Sequence, residues 1–537
     1  MFLVQKSDGS FRPIFDLRGL NSYIKTKHFQ LISHAVVPEF LQKHDWMVKI
    51  DLSQAYFHVP ISVSHRCFLR LVYNEEILEM TALPFGLSPS PQIFAALTNW
   101  IAEILRKRGI RVLVYLDDFL VAHQDKKKLI SQTAEVVNTL ELLGWWINYQ
   151  KAVLNPMQKL EYLGVTWDTM VSTISLSKKK KEKILHSIEI FLTKQLHSQK
   201  QVQKLLGQLN FATFVVPRGR LYCRQLQIFC RRFNRKPLKK QRAPPQVVVD
   251  LRWWRGAIHM KSDLHPKPYT NFLTTDAADT GWGAQIDEKL LSGGWTKEQK
   301  KWHSNRKELY AVYAALSAEK HHLRNADILV QSDNRTLVAY IRKEGGTHSL
   351  SLLALTRKLL ILADRLKIRL SAQYLPGRYN CIADNLSRGQ RPPEWHLLSP
   401  ATNKIFNLWG TPDVDLFASA ETTVVNSYVS LDCKDRLALF SNAFSHQWDF
   451  RLGWIFPPPN LMPRVLDHWN LAKGRYIIVA PVWEKTFWMA DLKSRALANP
   501  MEIENLQKVL VDVSTNLPPA QVDRLALQAW LVGGGAN

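Results

Sequence analysis

Apolar positions in this chain gather in short dense runs, and the densest is Val112–Ala122, read VLVYLDDFLVA. Two β-branched runs flank Asp117 and Asp118, which predicts two strands of a hairpin with the acids at the bend. Strands this apolar should be buried on both faces. Upstream, Val48 and Ile50 lead into Asp51, so a further strand should end on an acid. Residues 4–21 read as two short strands around the turn Ser7-Asp8-Gly9-Ser10. Residues 83–94, LPFGLSPSPQIF, read as a turn leading into a helix, with Ser90 as N-cap and Pro91 at its first position. Residues 126–143 carry a helical period that sets Leu129, Ala134, Val137 and Leu140 on one side, with Gly144 as the stop.

The second half repeats the alternation of strand and helix. Residues 273–286 predict strand, turn, strand, with Asp276 at the end of the first, and 293–296 a third short strand. Residues 306–316 predict a helix with Leu309, Val312, Tyr313 and Leu316 on one face and Glu308 near its start. A strand at 328–334 ends in Asp333, another spans 368–377, and Asp384 follows it. Residues 389–400 read as a linker. Apolar runs around 414–419, 454–460 and 476–483 then suggest a small α/β domain.

Composition adds a partner. The 537 residues suffice for roughly three or four domains. Against 46 acidic residues stand 71 basic ones, and a formal charge of +25 predicts a polyanion. Nucleic acid is favoured over a membrane, because no apolar run reaches about 18 residues. The apolar start is too short for a signal peptide. Five cysteines (Cys67, Cys223, Cys230, Cys381, Cys433) form no CxxC pair, which places the chain in cytoplasm or nucleus and not outside the cell. Basic stretches at Lys178–Lys181 and 231–245 suit phosphate tracking; the second serves equally as a solvated tether.

The acids carry the chemistry. Adjacent carboxylates repel unless a cation lies between them, and their hard oxygens suit Mg²⁺ or Mn²⁺. Asp51 at a strand end can join Asp117 and Asp118 at a hairpin bend in one sheet. Three such carboxylates can hold two divalent ions for an in-line phosphoryl displacement.

Tyr115-Leu116-Asp117-Asp118 resembles the YxDD box of reverse transcriptases, and Asp51 with Ala55, Tyr56 and Phe57 resembles their DxxxAYF motif. The resemblance implies Asp51, Asp117 and Asp118 as metal ligands and Tyr56 as the gate under the incoming sugar. It implies Lys6 and Arg12 as triphosphate contacts. Residues 83–94 resemble the LPxGxxxSPxxF motif, which implies contact of Phe85 and Gly86 with template and incoming dNTP; the Phe is similar to the retrotransposon branch. Lys151 is implied as a general acid for the leaving pyrophosphate. Residues 160–168 resemble the primer-grip hairpin and 203–222 thumb helices. In the second half, βββαβ with Asp276, Glu308, Asp333 and Asp384 resembles ribonuclease H, which implies two further Mg²⁺ ions. No flexible His is evident near the last acid, where Arg378 stands instead.

The last region resembles the methyltransferase-like part of DIRS-type retrotransposon polyproteins. Phe456 and Pro459 flank Pro457 and Pro458 where related enzymes carry an amine-accepting Asn. A structural remnant, or a nucleic-acid platform on Trp448, Trp454 and Trp483, is therefore favoured over methyl transfer. The expected architecture is α/β and α+β multidomain: reverse transcriptase fingers and palm at 1–170, thumb and basic linker at 171–245, ribonuclease H-like at 265–390, a degenerate α/β domain at 402–500 and a tail at 501–537. The expected activity is RNA-directed DNA polymerase with hybrid ribonuclease, acting on RNA template, DNA primer, RNA–DNA hybrid and dNTPs, with a recombinase supplied from another frame. A decayed element that only binds nucleic acid, and a host-domesticated polymerase, stay open as alternatives.

Overall fold

A computed structural model describes residues 2–5, 11–25, 29–73, 75–235, 239–287, 289–377, 380–389, 395–431, 435–458, 461–482, 487–513, 516–519 and 522–535. The chain divides into two compact units, Met1–Pro266 and Lys267–Asn537. Among the described residues no helix is long and apolar enough to cross a membrane.

The first unit starts with an antiparallel hairpin of β1 (Phe2–Gln5) and β2 (Phe11–Ile14). Its expected turn, with Lys6, lies outside the described residues, as does the side chain of Arg12. The central sheet uses β3 (Trp46–Asp51), β6 (Val112–Tyr115), β7 (Asp118–His123) and β8 (Val153–Met157), in the order β6-β7-β3-β8, all antiparallel. Between β3 and β6 come the hairpin of β4 (Arg70–Tyr73) and β5 (Glu76–Glu79) and the helix α1 (Ser90–Lys107).

Successive strand residues point to opposite faces. Val48, Ile50, Val112, Val114, Phe119 and Val121 enter one apolar core with Phe94 and Ile101 of α1. Met47, Leu113, Leu120 and Ala122 enter a second core with Leu160, Leu205 and Trp254. The expected burial of both faces is therefore met.

Two helix details differ from expectation. Ser90 is the first residue of α1 rather than its cap, because its hydroxyl turns back to donate to the Pro84 carbonyl (3.1 Å). Helix α2 (Lys126–Leu142) starts at Asp125, whose carboxylate accepts from the Lys127 and Lys128 amides. It buries Leu129, Thr133, Val136 and Leu140; Ala134 is exposed, since the buried stripe follows steps of four, three and four.

The hairpin expected over 160–168 forms from β9 (Lys159–Tyr162) and β10 (Val165–Asp168), extended by β11 (Thr173–Leu176). Helix α3 (Lys178–Thr193) follows, then α4 (Gln199–Ala212), whose Ser198 and Gln201 form a reciprocal capping box. Helices α5 (Arg224–Arg232) and α6 (Pro245–Ala257) complete the layer, with Leu226, Phe229, Leu251 and Trp254 in the shared core. The basic stretch 231–245 thus leads straight into a packed helix.

In the second unit, β12 (Asn271–Ala277), β13 (Gly281–Ile286) and β14 (Lys289–Gly294) pair antiparallel in sequence. The third strand ends at Gly294, earlier than expected, because Trp295 turns inward and its indole donates to the Ala278 carbonyl (2.8 Å). Helix α7 (Ser304–Ala318) crosses to β15 (Asp327–Ser332), and α8 (Arg335–Arg342) and α9 (Leu350–Arg365) lead to β16 (Arg369–Tyr374). Strands β12, β15 and β16 are parallel, and the sheet order is β14-β13-β12-β15-β16. Helix α10 (Cys381–Ser387) follows.

A second sheet contains β17 (Val414–Asp415), β18 (Asp449–Ile455) and β19 (Lys473–Pro481), all parallel, then β21 (Leu527–Gly533) antiparallel to β19, and β20 (Met501–Glu502) antiparallel to β21. The expected tail is therefore a correction: β21 pairs with Arg475–Pro481 of β19, because the short apolar run in LQAWLVG fits a strand buried on both faces. Within the expected linker, Trp395–Leu397 pairs with Leu510–Asp512.

Two candidate carboxylate centres

Pairing of β3 with β7 sets Asp51 directly opposite Asp118. Tyr115 pairs with Asp118, so Leu116 and Asp117 form a two-residue bend. Leu116 holds a left-handed φ of 53°, costing about 1–2 kcal/mol for a residue with a Cβ. Its half-buried side chain is packed against the apolar core, which holds that bend in place. The Leu52 amide donates to the Asp117 carbonyl (3.0 Å) and the Asn148 amide to the Asp51 carbonyl (2.8 Å). The backbone thereby holds all three acids at one edge of the sheet.

Burial pushes the Asp118 carboxyl up to about 7; Lys49 pulls it down, and the charges of Asp117 and Asp51 raise it further, as does a hydrogen bond with Asp51. Asp118 Oδ1 is buried without a hydrogen-bond partner. A buried oxygen left so among carboxylates is the arrangement a divalent cation satisfies. Tyr162 of the β9–β10 hairpin donates its hydroxyl to the Asp118 carbonyl (3.2 Å).

Tyr56 lies against Phe85 with ring centroids 4.9 Å apart and meets Phe94 edge-on at 5.3 Å. Gly86 has φ 109°, and a Cβ there would overlap the Phe15 carbonyl oxygen. The Asn21 amide donates to the Gly86 carbonyl (2.9 Å) and accepts from the Ser88 amide (2.9 Å). Tyr56, Phe85 and Gly86 thus lie together, and Asn21 ties down their loop. Lys151 is exposed in the turn before β8, its amide donating to the Asn148 carbonyl (3.1 Å).

Asn21, Lys49 and Tyr162 were not singled out from the sequence. Lys49 had a signal, a lone cation between Val48 and Ile50 in a strand ending on an acid. The other two act across long sequence separations and had none.

In the second unit, oxygens of Asp276, Glu308 and Asp333 all lie within 4.8 Å of one another. Among the described residues this is the one such group of three. Asp276 is the penultimate residue of β12, Glu308 lies in the first turns of α7 and Asp333 follows β15 directly. Burial pushes Glu308 up to about 9, and the charges of Asp276, Asp333 and Asp384 add to it. Burial also raises Asp276, to about 6, against the opposing Ser387 hydrogen bond, and raises Asp333. Glu308 Oε2 has no hydrogen-bond partner. Carboxyls forced together and shifted upward fit a cation, as in the first centre.

Asp384 faces this group from α10 but is paired with Arg388 (2.7 Å), so it stands apart from the trio. Ser387 donates its hydroxyl to Asp276 Oδ2 (2.6 Å), and Asn380 its amide to the Thr275 carbonyl (3.0 Å). A Cβ at Gly377 would come 2.8 Å from Asp333 Oδ2, and one at Gly283 would overlap the Ala383 carbonyl. Gly283 lets α10 press onto the sheet, and Gly377 leaves room for the Asp333 carboxylate. Arg378 lies outside the described residues.

The expected tryptophan platform is corrected. Trp448 and Trp454 are 0% and 1% exposed, within the core of the second sheet, so neither can stack on a base. Trp483 and Pro459 lie outside the described residues. Phe456, Pro457 and Pro458 follow the end of β18.

Comparison with known proteins agrees with this division. The family described as "Reverse transcriptase (RNA-dependent DNA polymerase)" matches residues 4–167, and "RNase H-like domain found in reverse transcriptase" matches 268–364. The Tf2-3 and Tf2-4 transposon polyproteins of Schizosaccharomyces pombe are each 23% identical over 409 residues, 72% of this chain. The chain spans 28% of the length of those relatives. Among solved structures, foamy viral protease-reverse transcriptase in complex with dsDNA covers 70% of this chain and 76% of its own, at 18% identity and TM-score 0.44. The same protein in complex with RNA/DNA hybrid covers 69% and 49%, at 17% identity and TM-score 0.44. The chain thus carries a reverse transcriptase domain and, after it, an RNase H-like domain.

Proposed function

We propose that this chain is an RNA-directed DNA polymerase that also cleaves the RNA of the hybrid it makes. The observation that carries this reading is the cross-strand pair Asp51–Asp118, with Asp117 at the bend and a buried Asp118 oxygen left without a partner. Asp51, Asp117 and Asp118 would hold Mg²⁺ or Mn²⁺ in the first centre, and Asp276, Glu308, Asp333 and Asp384 in the second. When bound, such ions neutralise charge on the attacking and leaving oxygens of an in-line displacement.

The chain's own residues do the positioning. The backbone bonds of Leu52 and Asn148 keep the acids at the sheet edge where a primer 3′-hydroxyl meets a dNTP. Tyr56, braced by Phe85 and Phe94, supports the incoming sugar and rejects a 2′-hydroxyl. Gly86 lets the backbone approach the nascent pair. Lys6 and Arg12 contact the triphosphate, and Lys151 protonates the leaving pyrophosphate. In the second centre Ser387 orients Asp276. The RNA template, DNA primer and hybrid are gripped through backbone and 2′-hydroxyls, consistent with the charge of +25.

A finer placement, a DIRS-type element with its recombinase in another frame, draws support from the α/β sheet that follows the RNase H-like domain. Phe456 at the amine-acceptor position argues that this sheet no longer transfers methyl groups. Cytoplasm or nucleus suits such a protein.

The test is primer extension on an RNA template–DNA primer with dNTPs and Mg²⁺, beside Asp117→Asn and Asp118→Asn. Extension by the native chain, absent in both variants, is expected. RNA cleavage in the hybrid should vanish instead in Asp333→Asn. A chain that binds hybrid tightly and salt-sensitively but never extends would be a nucleic-acid-binding protein only.

A further inference from the structure

A cavity of about 300 Å³ opens beyond the carboxyl ends of β17 and β18. In open α/β sheets that is where ligands bind. Phe417 follows one strand and Phe456 the other, and Phe444 and Trp395 complete an aromatic lining. Phe417 and Phe444 meet edge-on at 5.4 Å. The Arg464 guanidinium lies 4.0 Å from the Phe444 ring centre and holds that wall in place.

Two properties narrow the occupant. No charged side chain occurs among the described residues that line the cavity, which favours a neutral group as the enclosed part of the ligand. The Trp395 indole N–H is buried without a hydrogen-bond partner. A donor so placed costs about 1–3 kcal/mol unless something accepts from it. A neutral, flat, heteroaromatic group with acceptor atoms meets both conditions. A sulfonium amino acid cofactor fits less well, since its charged end finds no charged partner among the described residues of the lining.

The position adds the source. Cys381 and Ile382, on the first turn of α10, close one side of the cavity. Asp384 of the second carboxylate centre lies on the same helix, within one turn of both. We propose that this cavity receives a single unpaired base of a nucleic-acid strand held at the neighbouring acidic centre. The inference rests on the functional reading only for its partner; the cavity itself is assigned no role there. It replaces the buried tryptophans as the element of this domain that handles a base. A strand carrying a bulged or displaced nucleotide would be anchored beside the ribonuclease centre, which gives the last sheet a task without methyl transfer.

The test uses the full chain in EDTA with two RNA–DNA hybrids. One is fully paired; the other carries a single unpaired 2-aminopurine in its RNA strand. Native protein should prefer the bulged hybrid by roughly five- to 150-fold, the range of aromatic stacking on one base, with a change in 2-aminopurine emission. Ala418→Trp, which fills the half-exposed rim, should bring the preference to about one while paired-hybrid affinity holds. Trp395→Phe, which removes the N–H together with the five-membered ring and keeps an aromatic side chain, should lower it several-fold and decides the matter if circular dichroism shows Ala418→Trp misfolded. Equal binding of both hybrids by native protein overturns the inference, as does a preference untouched by either variant. Binding of S-adenosylmethionine that Ala418→Trp abolishes, without any bulge preference, also overturns it. Free adenosine that displaces the bulge signal identifies the base as the recognised part. Failure of the paired hybrid to bind strikes the functional reading first.

Discussion

Glu308 offers the sharpest quantitative test. Its carboxyl is buried among Asp276, Asp333 and Asp384 and is pushed from 4.5 to about 9. A carboxyl raised in the fold keeps its proton longer there than in the unfolded chain. Stability is therefore intact below pH 4.5 and falls as pH climbs toward 9. Each pH unit above 4.5 costs about 1.4 kcal/mol, so the penalty at pH 7 is about 3 kcal/mol. Water entry relaxes part of it. Glu308→Gln keeps the shape and removes the titration. It should stabilise the second unit by about 1–3 kcal/mol at pH 7, raising its Tm by about 2–10 °C. At pH 5 the gain should shrink below about 1 kcal/mol. Urea melts in EDTA at pH 5, 7 and 8 measure this directly. Millimolar Mg²⁺ should close the gap by stabilising the native protein alone. Equal gains at pH 5 and pH 8, or a loss at pH 8, would refute the picture of carboxyls compressed together without compensation.

Other expectations follow from single contacts. Tyr162→Phe removes the hydroxyl bonded to the Asp118 carbonyl; it should cost about 1 kcal/mol in denaturant melts and slow primer extension several-fold. Gly86→Ala combines a positive φ with overlap on the Phe15 carbonyl, and steady-state kinetics should show extension falling through a raised KM for dNTP. Asp45 is fully buried and paired with Arg111 (2.8 Å), with Gln124 also donating to it. Asp45→Ala should therefore lose about 3–5 kcal/mol, read as a lowered urea midpoint for the first unit.

Legibility in the sequence followed the range of the forces involved. The hairpin at Val112–Ala122 and the acids at strand ends were readable because strand period and turn chemistry are local. The βββαβ order was readable because Asp276, Glu308 and Asp333 each mark an element's edge. Failures came where distant partners decide. Ser90 looked like a cap until the Pro84 carbonyl claimed its hydroxyl. Trp448 and Trp454 looked like a stacking surface because aromatic residues near prolines read alike whether buried or bare. Ser387 reaches Asp276 across 111 residues, and no local pattern announces such a bond.

The strand Leu527–Gly533 has a consequence for biosynthesis. It pairs with Arg475–Pro481, seven of the nine residues of the strand Lys473–Pro481, of which six are buried. Until residue 533 has left the ribosome, that apolar strand presents an open row of amides and carbonyls on one side. The sheet therefore closes only after synthesis has passed this point. A product halted short of residue 527 would display a sticky edge to every neighbouring copy, and chaperone capture or precipitation should follow. Completion of this sheet thus depends on the strand Leu527–Gly533.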